Sequence, residues 1–259
     1  MSDDAGRKPD PVELARTGQV RQLPKRFYRE VMVAARGSGY GVHLDGRPLR
    51  TPGRLVLVLP TAALASAIAE EWSAQVEHIN PLSMPLTRLA NSVRDQVEGR
   101  EAVVRADIVK FAGSDLLCYR AEGPEGLVRA QAEAWDPVLH WARVSLGADL
   151  AVGTGIVHVA QSDASRAAIE SAVGEFGAFR LASAHVMTTL LGSVVLMLAT
   201  LAGSLTPDEA WRAAHVDENW QVAKWGADAE AARRQEGRKA EFLAAVRLRD
   251  LAAKDALES

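Results

Sequence analysis

The sequence predicts an α+β protein: a small N-terminal antiparallel β-sheet domain with a flanking helix, followed by a mostly α-helical C-terminal domain. Residues 27–59 alternate apolar and polar residues between glycine-containing turns, as strands of a sheet do. Beyond residue 123, apolar residues recur at the spacing of amphipathic helices. With 259 residues and 48% hydrophobic content, the chain has enough apolar material for a folded core.

The N-terminal sheet is expected to be a meander of neighbouring antiparallel strands. Residues 27–33 are rich in residues that favour strands, and residues 40–44 alternate after a glycine turn. Asp45-Gly46 is a strong hairpin signal, because both residue types tolerate the positive φ of a two-residue turn. Residues 55–59 complete the expected sheet.

Helices are expected to flank this sheet. Thr61 is placed to cap the first one, since its hydroxyl can accept a hydrogen bond from a free backbone N–H. Further helices are expected over residues 86–92 and 100–112. The apolar run 116–120 is expected to return to the sheet as a strand.

Gly123-Pro124 is the expected domain boundary. It divides the chain into a flexible tail (1–24), an N-terminal mixed β/α domain (25–122) and a helical C-terminal domain (123–259).

The C-terminal domain is expected to consist of successive helices. Asp136-Pro137 predicts a kink or a new helix start, because proline disfavours a helical residue before it. Thr206 and Glu209 have the spacing of a capping box, with proline at the first helical position. The expected helices cover residues 124–147, 163–176, 179–203 and a segment that starts at Thr206, with residues 150–160 extended.

Composition and charge argue against several classes of protein. The net charge of −3 argues against nucleic-acid binding, which needs a basic footprint. The single cysteine, Cys118, is expected to be a small buried apolar side chain. Because one cysteine cannot form a disulfide within the chain, a reducing compartment is expected. Residues 1–11 carry early acids and no apolar core, so neither a signal peptide nor a typical transit peptide is expected.

Motifs of catalysis and metal binding are not apparent in the sequence. It contains no phosphate loop, no nucleophile elbow and no zinc-protease motif. His215 and Glu218 could share a metal on one helix, but two ligands do not make a site. No metal, cofactor or catalytic residue is therefore expected.

Two tryptophan-bearing stripes stand out near the C-terminus. If the helix that begins near Pro207 continues through Trp225, two sets of residues each fall on one of its faces. One interpretation is that a stripe packs in the core. The other is that it is exposed to bind a partner, because exposed tryptophans are frequent interface anchors. The first stripe contains Trp211, His215, Glu218, Val222 and Trp225, and the second contains Ala213, Val216, Trp220, Ala223 and Ala227.

Several short segments, in this order, give the chain a resemblance to a known family. They resemble the assembly chaperones of the F-type ATP synthase catalytic head that escort the α subunit. The segments are Phe27-Tyr28, residues 44–52 (LDGRPLRTP), 71–75 (EWSAQ), 84–92 (MPLTRLANS), 115–120 (DLLCYR), 135–137 (WDP), 217–221 (DENWQ) and 224–226 (KWG).

The resemblance implies a chaperone that binds the unassembled α subunit and protects it from aggregation until the β subunit takes its place, without catalysis. It implies that a carboxylate of the Asp217-Glu218 pair is important, with Glu218 as the best match. The expected partner-binding residues are Trp211, Asp217, Glu218, Trp220, Lys224 and Trp225. The expected location is the bacterial cytoplasm, because mitochondrial members carry a transit peptide.

Two alternatives stay open at this point. One is a membrane-associated assembly factor anchored by residues 181–207, which contain no charged residue and are long enough to span a bilayer. Polar residues such as His185 and Ser193 dilute this segment, so a buried helix is favoured and no membrane span is expected. The other is an enzyme whose active-site residues converge from distant positions.

Overall fold

The computed structural model describes residues 23–253 and confirms the α+β fold class. Nearly all of the predicted flexible tail, residues 1–24, lies outside the described residues. In chain order the elements are β1 Val31–Arg36, β2 Gly39–Leu44, β3 Arg47–Pro48, α1 Ala62–Ser73, α2 Pro85–Ser92, α3 Glu101–Lys110, β4 Tyr119–Arg120, α4 Glu125–Trp141, β5 Gly153–Thr154, α5 Asp163–Val173, α6 Ala178–Leu191, α7 Val194–Leu201, α8 Pro207–Ala214, α9 Val216–Trp225 and α10 Ala229–Ala252.

Strands β1, β2 and β3 form the predicted antiparallel meander. Asp45 and Gly46 have φ values of 48° and 75°, as the hairpin signal requires. The Asp45 carboxylate also accepts hydrogen bonds from the backbone N–H groups of Arg29 and Glu30. The segment 55–59 is less regular than predicted, since Leu59 pairs with β2 only through an isolated bridge.

The prediction that residues 116–120 return to this sheet is wrong. Residues 119–120 instead form β4, which pairs in parallel with β5. Just before β4, the N–H of Leu116 donates to the carbonyl of Gly192 at 3.0 Å. That bond holds the segment against the junction of α6 and α7 and so carries it away from the meander.

Helix α4 runs from Glu125 through Pro137 to Trp141 as one element. Of the two expectations at Asp136-Pro137, a kink or a new helix start, the new helix does not form. Tertiary contacts hold the residues beside the proline in place. Asp136 accepts a hydrogen bond from Arg120 at 2.7 Å, and the same guanidinium lies 5.1 Å from the ring centroid of the buried Trp135. These contacts offset the backbone hydrogen bond that proline cannot donate.

The single helix expected over residues 179–203 is divided into α6 and α7. Gly192 ends α6 in the left-handed region, at φ 67°, and Ser193 caps α7 by accepting from the N–H of Leu196 at 3.0 Å. Within residues 23–253, no helix is long and apolar enough to cross a membrane.

The buried carboxyl of Asp115 joins the junction of α6 and α7 to the segment that precedes β4. One oxygen accepts from the N–H of Leu117 at 3.1 Å. The other accepts from the hydroxyl of Ser193 at 2.9 Å and the N–H of Val195 at 3.1 Å. Burial raises the pKa of Asp115 to about 6, although the hydrogen bonds oppose this change.

The apolar core is continuous across the expected boundary at residue 123. It extends from Tyr28 to Leu248 as one cluster of buried side chains. Helix α10, near the end of the chain, packs on α6 and also on α1 and α2. The division into two domains stays a prediction, because the residues on both sides of Pro124 share this core.

Replacing Asp115 with asparagine is expected to alter the pH dependence of stability. Because the pKa is raised by folding, the folded state holds a proton that the unfolded chain releases between about pH 4 and pH 6. The contribution of the protonated Asp115 carboxyl to stability is complete below the pKa that this group has in the unfolded chain. It is lost as the pH rises through the pKa of the folded state. The wild type should therefore lose up to about 3 kcal/mol relative to Asp115→Asn between about pH 4 and pH 7.

Chemical denaturation at both pH values measures this difference. Asp163→Asn is the matched control, because its carboxylate is exposed and should leave the profile of the wild type unchanged. The prediction is contradicted if the free energy of unfolding of the wild type, relative to that of Asp115→Asn, stays constant or increases as the pH rises.

Candidate functional site

The helix that was expected to run from Pro207 through Trp225 is broken at His215. His215 has φ −121° and ψ 30°, so α8 ends before it and α9 begins after it. The predicted capping box at the start of α8 is present, with Thr206 and Glu209 bonded reciprocally. Because the helix changes direction, the first stripe does not lie on one face.

The part of the first stripe that lies before the break is buried. Trp211 is only 5% exposed and stacks on His215, with ring centroids 3.9 Å apart. The Phe242 ring packs against it at a tilt, with centroids 5.5 Å apart. The Nδ1–H of His215 donates to the carbonyl of Trp211 at 2.8 Å. The indole of Trp211 therefore packs in the core, whereas its expected part in partner binding stays a prediction.

One side of α9 is anchored to α4. The Asp217 carboxylate accepts from the side-chain amide of Gln131 at 2.7 Å. Gln131 is itself buried, and its oxygen accepts from the N–H of Ala121 at 2.8 Å. Asp217 thus serves an internal contact that fixes the position of α9.

Trp220 makes a second contact on the anchored side. Its ring lies so close to Gly126 that a methyl group there would come within 2.3 Å of the Cη2 atom. The Lys224 ammonium is 5.1 Å from the centroid of the same ring. Glycine at position 126 is therefore what lets the indole approach α4.

The other side of α9 carries Glu218, Val222 and Trp225, and all three are exposed. Trp225 is 80% exposed, which is unusual for so large an apolar side chain. Glu218 forms no salt bridge within the part of the chain that the structure describes. We call Glu218, Val222 and Trp225 the free face of α9.

The free face forms one wall of a cleft between α9 and the start of α10. The cleft has a volume of about 570 Å³ and is lined by Glu218, Val222 and Trp225 on one side and by Ala231, Arg234 and Arg238 on the other. Such a cleft can receive an apolar side chain while its polar rim orients the partner.

Neither a metal centre nor a reactive thiol accompanies this cleft. No group of His, Cys, Asp and Glu among residues 23–253 could hold a metal ion. Cys118 is buried, and burial raises the pKa of its thiol to about 12. The interpretation of Cys118 as a small apolar core residue is confirmed.

Sequence reasoning missed the role of Glu71. Its carboxylate accepts from the N–H groups of Leu86 and Thr87, each at 2.8 Å, and from the Thr87 hydroxyl at 2.7 Å. It therefore caps α2, whose own cap residue, Met84, has no side-chain acceptor. In the sequence, the signal for such a distant cap is that Pro85 begins the helix and the residue before it, Met84, is not a capping residue.

Comparison with known proteins gives consistent matches. Residues 25–143 match the family model of the ATP12 chaperone protein. Two structures of Atp12 from Paracoccus denitrificans, one of them a mutant, are 41% and 40% identical to the chain, each with a TM-score of 0.84. They cover 89% of this chain, and this chain covers 99% and 98% of theirs.

Two further relatives extend the comparison. A structure of a proposed chaperone from Agrobacterium tumefaciens is 42% identical, with a TM-score of 0.86 over 95% of this chain and 92% of that one. The mitochondrial protein atp12 of Schizosaccharomyces pombe is 24% identical over 215 residues, which are 78% of this chain and 74% of that protein.

Gly126→Ala is expected to loosen α9. The added methyl would force the Trp220 ring away from α4, and overpacking of this kind costs about 1–3 kcal/mol. Amide hydrogen exchange over residues 216–225 should become several-fold faster. Gly237→Ala, in open space on α10, is the matched control and should leave exchange in α9 unchanged. Equal exchange in α9 for both variants would refute the anchoring role of Trp220.

Proposed function

Since the chain belongs to the ATP12 chaperone family, we propose that it binds the unassembled α subunit of the F-type ATP synthase. In this role it covers an apolar surface of that subunit until the β subunit takes its place. The observation that carries the proposal is the free face of α9, where exposed apolar side chains flank a carboxylate that pairs with no cation among residues 23–253.

The contact residues in this proposal are Glu218, Trp225 and Lys224. Trp225 supplies apolar area to a partner, because its indole is largely unused in folding. The Glu218 carboxylate adds orientation and specificity more than affinity. Lys224 is exposed as well, but its ammonium lies over the Trp220 ring on the other side of α9, where it offers a positive charge.

Asp217 and Trp220 have a different part in the proposal. They position α9 from its opposite side, through Gln131 and Gly126. A helix that is already held in its binding orientation loses less conformational entropy on association. Asp217 and Trp220 therefore position the helix from one side, while Glu218 and Trp225 supply contact from the other.

Binding alone is sufficient for the proposed activity. A chaperone must mask a subunit interface and then release it, so an interface of moderate size suits the task. The arriving β subunit can displace the chaperone by mass action, without nucleotide hydrolysis. We therefore assign no catalytic step to the chain.

We further propose that the protein works in the bacterial cytoplasm. The Paracoccus and Agrobacterium relatives are 40–42% identical to this chain, whereas the mitochondrial yeast relative is 24% identical. The greater similarity to bacterial proteins supports this location.

Co-expression with the α subunit tests the proposed function. We expect the α subunit to stay in solution and to co-purify with the chain under conditions where it precipitates alone. Precipitation of the α subunit to the same extent with and without the chain would overturn the proposal.

Glu218→Gln is expected to lower the affinity for the α subunit about tenfold. The thermal midpoint should hardly change, because the side chain is exposed and surface substitutions usually cost less than about 0.5 kcal/mol. Titration of labelled α subunit and thermal unfolding measure the two effects.

Glu236→Gln is the matched control for this variant. It removes the same charge from an exposed position on α10 that does not line the cleft. An equal loss of affinity in both variants would point to net charge rather than contact. A large loss of stability in Glu218→Gln would instead identify a structural ion pair.

A further inference from the structure

The cleft beside the free face of α9 has two walls, and each wall is one stripe of a helix. The lining residues on each helix recur at intervals of three and four, which is the spacing of a single helical face. They are Glu218, Val222 and Trp225 on α9 and Ala231, Arg234 and Arg238 on α10. Two turns of each helix therefore line the cleft, over a length of about 10 Å.

The two walls carry charges of opposite sign. On α9 the lining includes the Glu218 carboxylate and no Lys or Arg, whereas on α10 it includes Arg234 and Arg238 and no Asp or Glu. Asp228, in the turn between the helices, also lines the cleft, but its carboxylate caps α10 by accepting from the N–H of Ala231 at 2.7 Å. The cleft is therefore acidic on one side and basic on the other.

Arg238 is the arginine of this cleft that keeps its charge available. Arg234 is paired with Glu230 at 2.6 Å. Arg238 forms no salt bridge among residues 23–253, and its Nη2 donates to the carbonyl of Leu190, in the last turn of α6, at 3.3 Å. A guanidinium has five N–H donors, so most of them remain free for a carboxylate. The bond to Leu190 orients the group without neutralising it.

The surface inside the cleft is mainly apolar. Val222 is 45% exposed and Trp225 is 80% exposed, and Ala231 faces them from α10. The volume of about 570 Å³ leaves room for more than one side chain, since pockets of about 300–1,000 Å³ hold drug-sized ligands. A complementary occupant has an apolar centre and two charges of opposite sign.

We infer that Arg238 is a further client-contact residue and that the cleft receives an amphipathic helix of the unassembled α subunit. This helix places an acidic side chain on Arg238, a basic side chain on Glu218 and an apolar side chain between them. The inference rests on the proposed function. A groove between two helices suits this mode of recognition, in which apolar anchors recur at helical spacing. The opposite charges fix the direction of the bound helix, because a reversed helix would bring like charges together.

Reversal of the Arg238 charge in the full chain tests this inference, with affinity for the α subunit as the readout. We expect Arg238→Glu to lose at least about tenfold in affinity, because like charges then meet at the interface. Arg238→Lys keeps the charge but not the planar fork of donors, and should lose only about threefold. The thermal midpoints of both should match the wild type, because the side chain is exposed.

Arg233→Glu is the matched control. It makes the same charge reversal at an exposed position of α10 that does not line the cleft, and it should lose less than about twofold in affinity. The double variant Glu218→Arg, Arg238→Glu then separates polarity from net charge. It exchanges the charges of the two walls at constant net charge, and we expect it to bind no more tightly than Arg238→Glu.

Three results would overturn the inference and leave the proposed function standing. They are wild-type affinity in Arg238→Glu, an equal loss in Arg233→Glu, and recovery of wild-type affinity in the double variant. If the wild-type chain itself does not bind the α subunit, the proposed function fails and the inference fails with it.

Discussion

The structure depends on one buried carboxyl group, that of Asp115. It accepts hydrogen bonds from the segment before β4 and from the start of α7, two parts of the chain about eighty residues apart in sequence. An unpaired buried carboxylate is costly, so its partners must be held in place for the fold to be stable. Together with the Leu116–Gly192 bond, these bonds hold the segment before β4 against the break between α6 and α7 and away from the N-terminal sheet. Strand β5 pairs with β4, and α4 is bonded to Arg120 of β4 and to the next residue, Ala121.

Adjacent carboxylates in α9 show how one helix serves two purposes. Asp217 and Glu218 are neighbours in sequence, and each step along a helix rotates the side chain by about 100°. Asp217 consequently faces α4 and is bonded to Gln131, whereas Glu218 faces solvent. Other carboxylates of the matching motifs, those of Asp45, Glu71 and Asp115, also bond within the chain. Glu218 differs from them in having no such internal partner among the described residues.

Local signals in the sequence predicted local structure well. The Asp45-Gly46 turn and the capping box at Thr206 depend on residues within a few positions of one another, and both are present. The errors arose where distant residues decide the outcome. At the break, His215 stacks on Trp211, which packs in turn against Phe242, and no pattern in residues 207–225 signals this tertiary contact. The candidate site stays a prediction for residues 217–225, and the burial of Trp211 places its indole in the core.

The exposed area of Trp225 determines how much free energy this side chain can contribute to binding a partner. An indole that is 80% exposed contributes little to folding, so most of its apolar area is available to a partner. Burying that area is worth on the order of 3–5 kcal/mol before the entropic costs of association are subtracted. A contact of this size needs support from neighbouring groups to hold a subunit, and Glu218 and Val222 are exposed on the same face. It is also small enough that a partner covering more of the same surface displaces it, and this is what a chaperone of assembly requires.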